Sequence, residues 1–117
     1  MAEIEMFHNP RCSKSRGALE ILGEHEADVE VVEYLKNPPD RATLERILDA
    51  IDDPPSALVR RDPKFSELGL TDADVETADG VIDVLAEHPE LMQRPVLLRG
   101  GRGVIARPSE RATEVLD

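Results

Sequence analysis

The chain has 117 residues, 40% hydrophobic and 33% charged. That suits one domain able to bury roughly two-thirds of its unfolded surface without disulfides or metals, and it excludes a disordered or collagen-like chain. Twenty-five acidic against 14 basic residues give a formal charge of -11, a surface that repels nucleic-acid phosphates and favours a monomer.

In chain order, Glu3 to Phe7 reads as a short strand with Ile4 and Met6 on one face. His8-Asn9-Pro10-Arg11 is turn chemistry, and from Ser13 to His25 the residues Ala18, Leu19, Ile21 and Leu22 recur at helical spacing. Val29 to Tyr34 is rich in β-branched residues and reads as a second strand, which completes a βαβ unit. Asp40 is placed to cap a helix carrying Leu44, Ile47, Leu48 and Ile51. Pro54-Pro55-Ser56 starts a helical turn ending near Arg60, and Asp62-Pro63 opens a loop. A further helix carries Val81, Ile82, Leu85 and Ala86 and ends before Pro89. Val96 to Arg99, a turn Gly100-Gly101-Arg102-Gly103, and Val104 to Ala106 predict a hairpin, and Ser109 is a plausible cap for a last helix. The order βαβ, helical middle, ββα predicts an α/β fold: one four-stranded mixed sheet with helices on its faces, spanning residues 1–117 as a single domain with a mostly helical insertion at about 40–90.

No apolar run nears the roughly 18 residues needed to span a bilayer, and no basic-then-apolar leader opens the chain. A cytoplasmic protein with no membrane and no nucleic-acid partner is expected. Charge is segregated along the chain. Between Ser66 and Gln93 stand eight acidic residues and no Lys or Arg, whereas Arg94 to Arg111 holds five Arg and one acid. The acidic stretch reads as solvated helix faces. Within the basic stretch, Arg94 and Arg107 each precede a proline at a strand end, where functional groups tend to sit.

Cys12 is the only cysteine, so redox chemistry requires a thiol from another molecule. It follows a strand and a turn and opens a helix. The unpaired N–H groups and partial positive charge of a helix N-terminus favour thiolate, and Arg11, Lys14 and Arg16 add charge nearby. Ser15 can turn its hydroxyl toward the sulfur, and His8 can return over the loop as a further donor. A thiolate so held is nucleophilic at neutral pH, where a free cysteine is only a few per cent ionised. Cys12-Ser13-Lys14-Ser15 is C-x-x-S, so Ser15 cannot resolve a mixed disulfide and the resolving sulfur must come from a small thiol or a partner protein. His8, His25, His88 and one Cys show no metal-ligand spacing.

The run Phe7-His8-Asn9-Pro10-Arg11-Cys12-Ser13-Lys14-Ser15-Arg16 resembles the active-site loop of the glutaredoxin-coupled arsenate reductases. Tyr34-Leu35-Lys36-Asn37-Pro38-Pro39, Leu58-Val59-Arg60-Arg61 with Phe65-Ser66-Glu67-Leu68-Gly69-Leu70, His88-Pro89, Gln93-Arg94-Pro95-Val96 and Ala106-Arg107-Pro108-Ser109-Glu110 resemble that family's later blocks, in order. The resemblance implies a thioredoxin-like core and reduction of arsenate to arsenite. It implies Cys12 as nucleophile, Arg60, Arg94 and Arg107 as oxyanion ligands, and His8 and Ser15 as groups that keep Cys12 ionised. It also implies a cis bond at Arg94-Pro95, no bound cofactor, glutathione or another small thiol as co-substrate, and glutaredoxin as partner. Periodicity does not choose between Arg60 and Arg61; the block match favours Arg60. Ala106 stands where some relatives have a second Cys, which excludes a resolving role there. Two alternatives share the fold: a glutathione-dependent thiol reductase, and an Spx-like transcription regulator, which the single thiol disfavours because it cannot switch through an internal disulfide.

Overall fold

The computed structural model describes residues 3–107 and 109–116. Strand β1 (Ile4–His8) is the hub of a four-stranded sheet of order β2-β1-β3-β4. It pairs in parallel with β2 (Val29–Glu33) and antiparallel with β3 (Val96–Arg99), which pairs antiparallel with β4 (Arg102–Ile105). The sheet is mixed and the fold is α/β, as the element order predicts, and thioredoxin-like, as the resemblance implies.

Alternation along the strands sends side chains to two separate cores. On one face Ile4, Met6, Leu97 and Val104 pack against Ala18 and Leu22 of helix α1 (Ser13–Glu24) and against Ala112 and Val115 of a C-terminal 3-10 segment (Ser109–Val115). On the other, Phe7, Val96, Leu98 and Ile105 meet Leu44 and Ile47 of α2 (Arg41–Ala50) and Val81, Ile82, Val84 and Leu85 of a later helix. With both faces covered, β3 carries the unbroken apolar run Val96-Leu97-Leu98 rather than an alternating one. The central helices lie between β2 and β3, each started by its own cap. The Asp40 carboxylate accepts from the Thr43 N–H at 2.8 Å, and the Thr77 hydroxyl accepts from the Gly80 N–H at 3.1 Å.

Three expectations need correction. Asp62-Pro63 opens a short helix, α3 (Pro63–Glu67), rather than a loop. Asp62 accepts from the Phe65 N–H at 3.2 Å, Pro63 takes a first-turn position where no N–H is needed, and buried Phe65 anchors the turn. The later long helix then becomes α4 (Ala78–Glu87). The hairpin turn is only Gly100-Gly101, because Arg99 pairs with Arg102 and Leu98 with Gly103. Gly100 takes φ +60°, and a Cβ at Gly103 would stand 2.9 Å from Leu98 Cδ2 and 3.0 Å from Ala50 Cβ, so a glycine is needed inside the strand. The last helix is 3-10, and Ser109 does not cap it: its hydroxyl donates to the Lys14 carbonyl at 2.8 Å. Pro108, part of the C-terminal block, lies outside the described residues. No helix among the described residues is long and apolar enough to cross a membrane.

Candidate active site

The site forms at the C-terminal end of β1, where the chain turns into α1. His8 follows Met6 in the alternation and faces α1, where it meets Ser15. His8 Nδ1 and Ser15 Oγ lie 2.9 Å apart, and the same hydroxyl accepts from the Asn9 N–H at 3.0 Å. Asn9 closes the turn with its carbonyl accepting from the Cys12 N–H at 3.0 Å and its Oδ1 accepting from the Arg11 N–H at 3.0 Å. Ser15 is fully buried and His8 nearly so. Burial lowers the His8 pKa against an opposing pull from Glu33, so the imidazole is neutral at neutral pH.

Cys12 is the N-cap residue of α1, half-buried, with extended backbone. Burial alone pushes its thiol pKa up. The Ser15 N–H, the Arg94 side chain as donor and as charge, and the Lys14 N–H pull it down, and the net result lies below the ordinary thiol value. The sulfur makes no full cap hydrogen bond, yet it sits where a capping oxygen would, facing the first-turn amides. No acidic residue occupies that turn to oppose them.

Three expected contributors act differently. Ser15 helps through its backbone amide, because its hydroxyl is taken by His8 and Asn9. His8 therefore reaches the sulfur only through Ser15 and the loop. The Arg11 side chain is exposed and is not among the groups with the largest effect on Cys12; its N–H shapes the turn.

The arginines arrive on separate segments. The Arg60 N–H donates to the Leu91 carbonyl and the Gln93 N–H to the Leu58 carbonyl, each at 2.7 Å, so this two-bond clip lays the Arg60 segment beside the Arg94 segment. Arg60 Nη1 lies 3.3 Å from Asp62 Oδ2, whereas Arg61 turns outward to Asp72 at 2.9 Å. Of that pair, Arg60 acts on the site: its charge is felt at the Tyr34 hydroxyl. The Arg94–Pro95 bond is cis, as expected from the resemblance. Arg94 acts directly on Cys12, and its Nε and Nη1 are buried without a hydrogen-bond partner. Arg107 Nη1 donates to the Arg94 carbonyl at 3.1 Å, so Arg107 is brought to the segment that holds Arg94 rather than onto the sulfur. A Cβ at Gly17 would stand 2.9 Å from Ser109 Oγ, so glycine lets the chain after Arg107 close on the start of α1.

Sequence reasoning missed two members of this cluster. Asn9 looked like a turn residue only, and Tyr34 like the last β-former of a strand. The position of Tyr34 at the C-terminal end of a strand in an α/β sheet was the available signal, because sites gather there.

The model of the ArsC family matches residues 7–115, a stretch that includes every side chain of this cluster. The chain belongs to the ArsC family. It is 40% identical over 118 residues to an arsenate reductase of Neisseria meningitidis serogroup A, covering 99% of this chain and 100% of the relative. It is 34% identical to the uncharacterized protein YfgD of Escherichia coli, over 97% of each chain. The structure of an arsenate reductase from Vibrio cholerae superposes with a TM-score of 0.84 at 29% identity, over 97% of this chain and 98% of that one. This chain is thus an arsenate-reductase-family protein with the family's thioredoxin-like fold.

Proposed function

We propose that the protein reduces arsenate to arsenite through the Cys12 thiolate, with glutathione and glutaredoxin as external reductants. The observation that carries this reading is Arg94. It offers two buried nitrogen donors with no partner, beside a thiol whose pKa is lowered. Buried donors are costly to leave unmet, and a guanidinium meets a tetrahedral oxyanion with paired, charge-assisted bonds. Arg60 and Arg107 supply further charge, which offsets repulsion between the thiolate and an anionic substrate.

In this scheme the sulfur attacks arsenic, an oxygen leaves as water, and a Cys12–arsenate thioester forms. Glutathione condenses with the adduct, and a second thiol, from glutaredoxin, attacks the glutathione sulfur. The arsenic–glutathione bond breaks as the disulfide departs, that bond's electron pair stays on arsenic, and hydrolysis releases arsenite and Cys12. Two external thiols enter and one disulfide leaves, as a chain with one cysteine requires. The scheme uses no metal and no bound cofactor.

The deciding assay measures arsenate turnover with glutathione and glutaredoxin. One observation favours a glutathione-dependent thiol reductase instead: Arg11, Lys14 and Arg16 are exposed, pair with no carboxylate among the described residues, and could hold the carboxylates of an anionic thiol. Turnover of small disulfides with none of arsenate would select that reading.

A further inference from the structure

The mechanism above makes no use of Tyr34. Tyr34 is 1% exposed, and its ring belongs to the core beneath the sheet, packed in the cluster of Phe7, Leu58 and Met92. It directly follows Glu33, which pairs with His8, so the parallel register sets Tyr34 level with Asn9 in the turn that leads to Cys12. A side chain with an apolar ring and a polar tip can bury the ring in a core and still present the tip to a site. Here the tip lies within the influence of Arg94, Asn9, Arg60 and Cys12, four members of the cluster drawn from three segments.

We propose that the Tyr34 hydroxyl is the neutral donor of the oxyanion site, giving a hydrogen bond to a substrate oxygen beside the Arg94 guanidinium. The inference rests on the oxyanion reading above and extends it by one residue. Tyr34 is 1% exposed, so the hydroxyl at its tip gains from a partner. The Asn9 side chain pulls the Tyr34 pKa down, the direction in which a donor to the phenol oxygen acts, and such a donor does not use the tyrosine's own proton. None of the hydrogen bonds made by the described residues takes that proton. Burial raises the Tyr34 pKa, against the opposing pull of Arg94 and Arg60, so the phenol keeps its proton throughout the neutral range. The group therefore adds a directed donor without adding charge. It would contribute alignment to a site whose attraction comes from arginine.

Tyr34 is the chain's one tyrosine and there is no tryptophan, so the near-ultraviolet absorbance and fluorescence report on this hydroxyl's surroundings. Wild-type protein is titrated with arsenate, and separately with sulfate as an unreactive tetrahedral dianion, while calorimetry records binding independently. Saturable change of the tyrosine signal at the calorimetric midpoint is expected. Tyr34→Phe keeps the ring, so the thermal midpoint and the pH profile of Cys12 alkylation should stay in place. Arsenate KM should rise roughly three- to tenfold with kcat changed less than about twofold, the pattern of one lost neutral hydrogen bond.

The proposal is overturned if oxyanion binds without disturbing the tyrosine signal, or if Tyr34→Phe leaves KM unchanged. It is also overturned if the variant shifts the alkylation profile and melts early, since Tyr34 would then act by holding the Asn9 turn. Wild-type protein that binds no oxyanion by calorimetry would instead overturn the oxyanion reading beneath it.

Discussion

Arginines at the two ends of the sheet have the same chemistry and opposite surroundings. At the hairpin end, Arg99 donates to the Val115 carbonyl at 2.9 Å and reaches Glu3 at 3.1 Å, and Arg102 donates to the Glu114 carbonyl. Arg111 pairs with both Asp53 and Glu114. At the thiol end, Arg94 has two buried nitrogens with no partner. Arg11, Lys14 and Arg16 form no ion pair among the described residues, and Arg60 shares its charge with Asp62. In a chain with 25 carboxylates, partners for cations are plentiful. At the Cys12 end Asp62 and Glu33 meet Arg60 and His8, while Arg94, Arg11, Lys14 and Arg16 form no ion pair among the described residues, so positive charge stays unspent where a thiolate and an anion must meet. The difference teaches that the acidity of the chain and the basicity of its site are parts of one arrangement.

The hardest test of that arrangement removes the thiolate. Cys12→Ser should abolish arsenate reduction and leave oxyanion binding measurable by calorimetry, because a serine oxygen cannot form the arsenic–sulfur bond while the arginines remain. Turnover surviving in this variant would show that another group does the chemistry.

Arg94→Ala should come next, because Arg94 acts on the thiolate and carries the two unpartnered buried donors. The loss of one charge-assisted contact worth about 1.5–3 kcal/mol should lower kcat/KM for arsenate roughly ten- to a hundredfold, and the alkylation pH profile of Cys12 should move upward. Arg60→Ala and Arg107→Ala should cost less, since Asp62 already shares Arg60 and Arg107 acts through the Arg94 carbonyl. Arg94→Lys keeps the charge, loses the paired donors, and should recover only part of the activity. Equal losses at all three positions would erase the ranking that the structure predicts.

Much of this was legible in the sequence because it rests on local chemistry. The strand-turn-helix setting of Cys12 and the cap at Asp40 follow from residues within a few positions of one another. The choice of Arg60 over Arg61 was legible only through resemblance, because it depends on the clip between Leu58–Arg60 and Leu91–Gln93, two segments about 30 residues apart. Tyr34 was missed for the same reason: its environment is assembled from β1, the turn after it, and two arginines distant in sequence. The reversed use of Ser15 was hidden because a serine near a thiol can act through either its hydroxyl or its amide, and only the positions of His8 Nδ1 and the Asn9 N–H decide which.

A gentler perturbation separates the local amides from the arginines. Cys12 is an acid whose pKa in the fold lies below its ordinary value, so the thiolate persists as pH falls from the ordinary thiol range and is lost only through the lowered pKa. Alkylation by iodoacetamide should stay fast over that interval in wild-type protein. Ser15→Ala removes the oxygen that accepts from Asn9 and meets His8, leaving the buried His8 ring and the part-buried Asn9 N–H without it. The loop amides should lose their aim and the alkylation profile should shift upward by less than in Arg94→Ala. An unchanged profile would mean that the hydroxyl contributes nothing to the placement of the amides.

The smallest effects on catalysis should come from the paired arginines, and they decide whether position or overall charge matters. Arg99 stands three residues beyond Val96 along β3, about 10 Å by strand rise, and this exceeds the screening length of roughly 8 Å at physiological salt. Arg99→Ala and Arg102→Ala should therefore change kcat/KM less than about twofold. Their cost should appear in thermal melts instead, because Arg99 ties the end of the sheet to the Val115 carbonyl and to Glu3. The loss of that partly buried hydrogen bond should lower stability by about 1 kcal/mol, with little added by the exposed ion pair. Salt provides the internal control: any effect of Arg99→Ala on turnover should vanish as ionic strength rises, whereas the loss in Arg94→Ala should persist, because its donors are buried. If Arg99→Ala slows turnover as much as Arg94→Ala does, and salt levels both, the protein uses a general positive field and the contrast between the two ends of the sheet has no catalytic meaning.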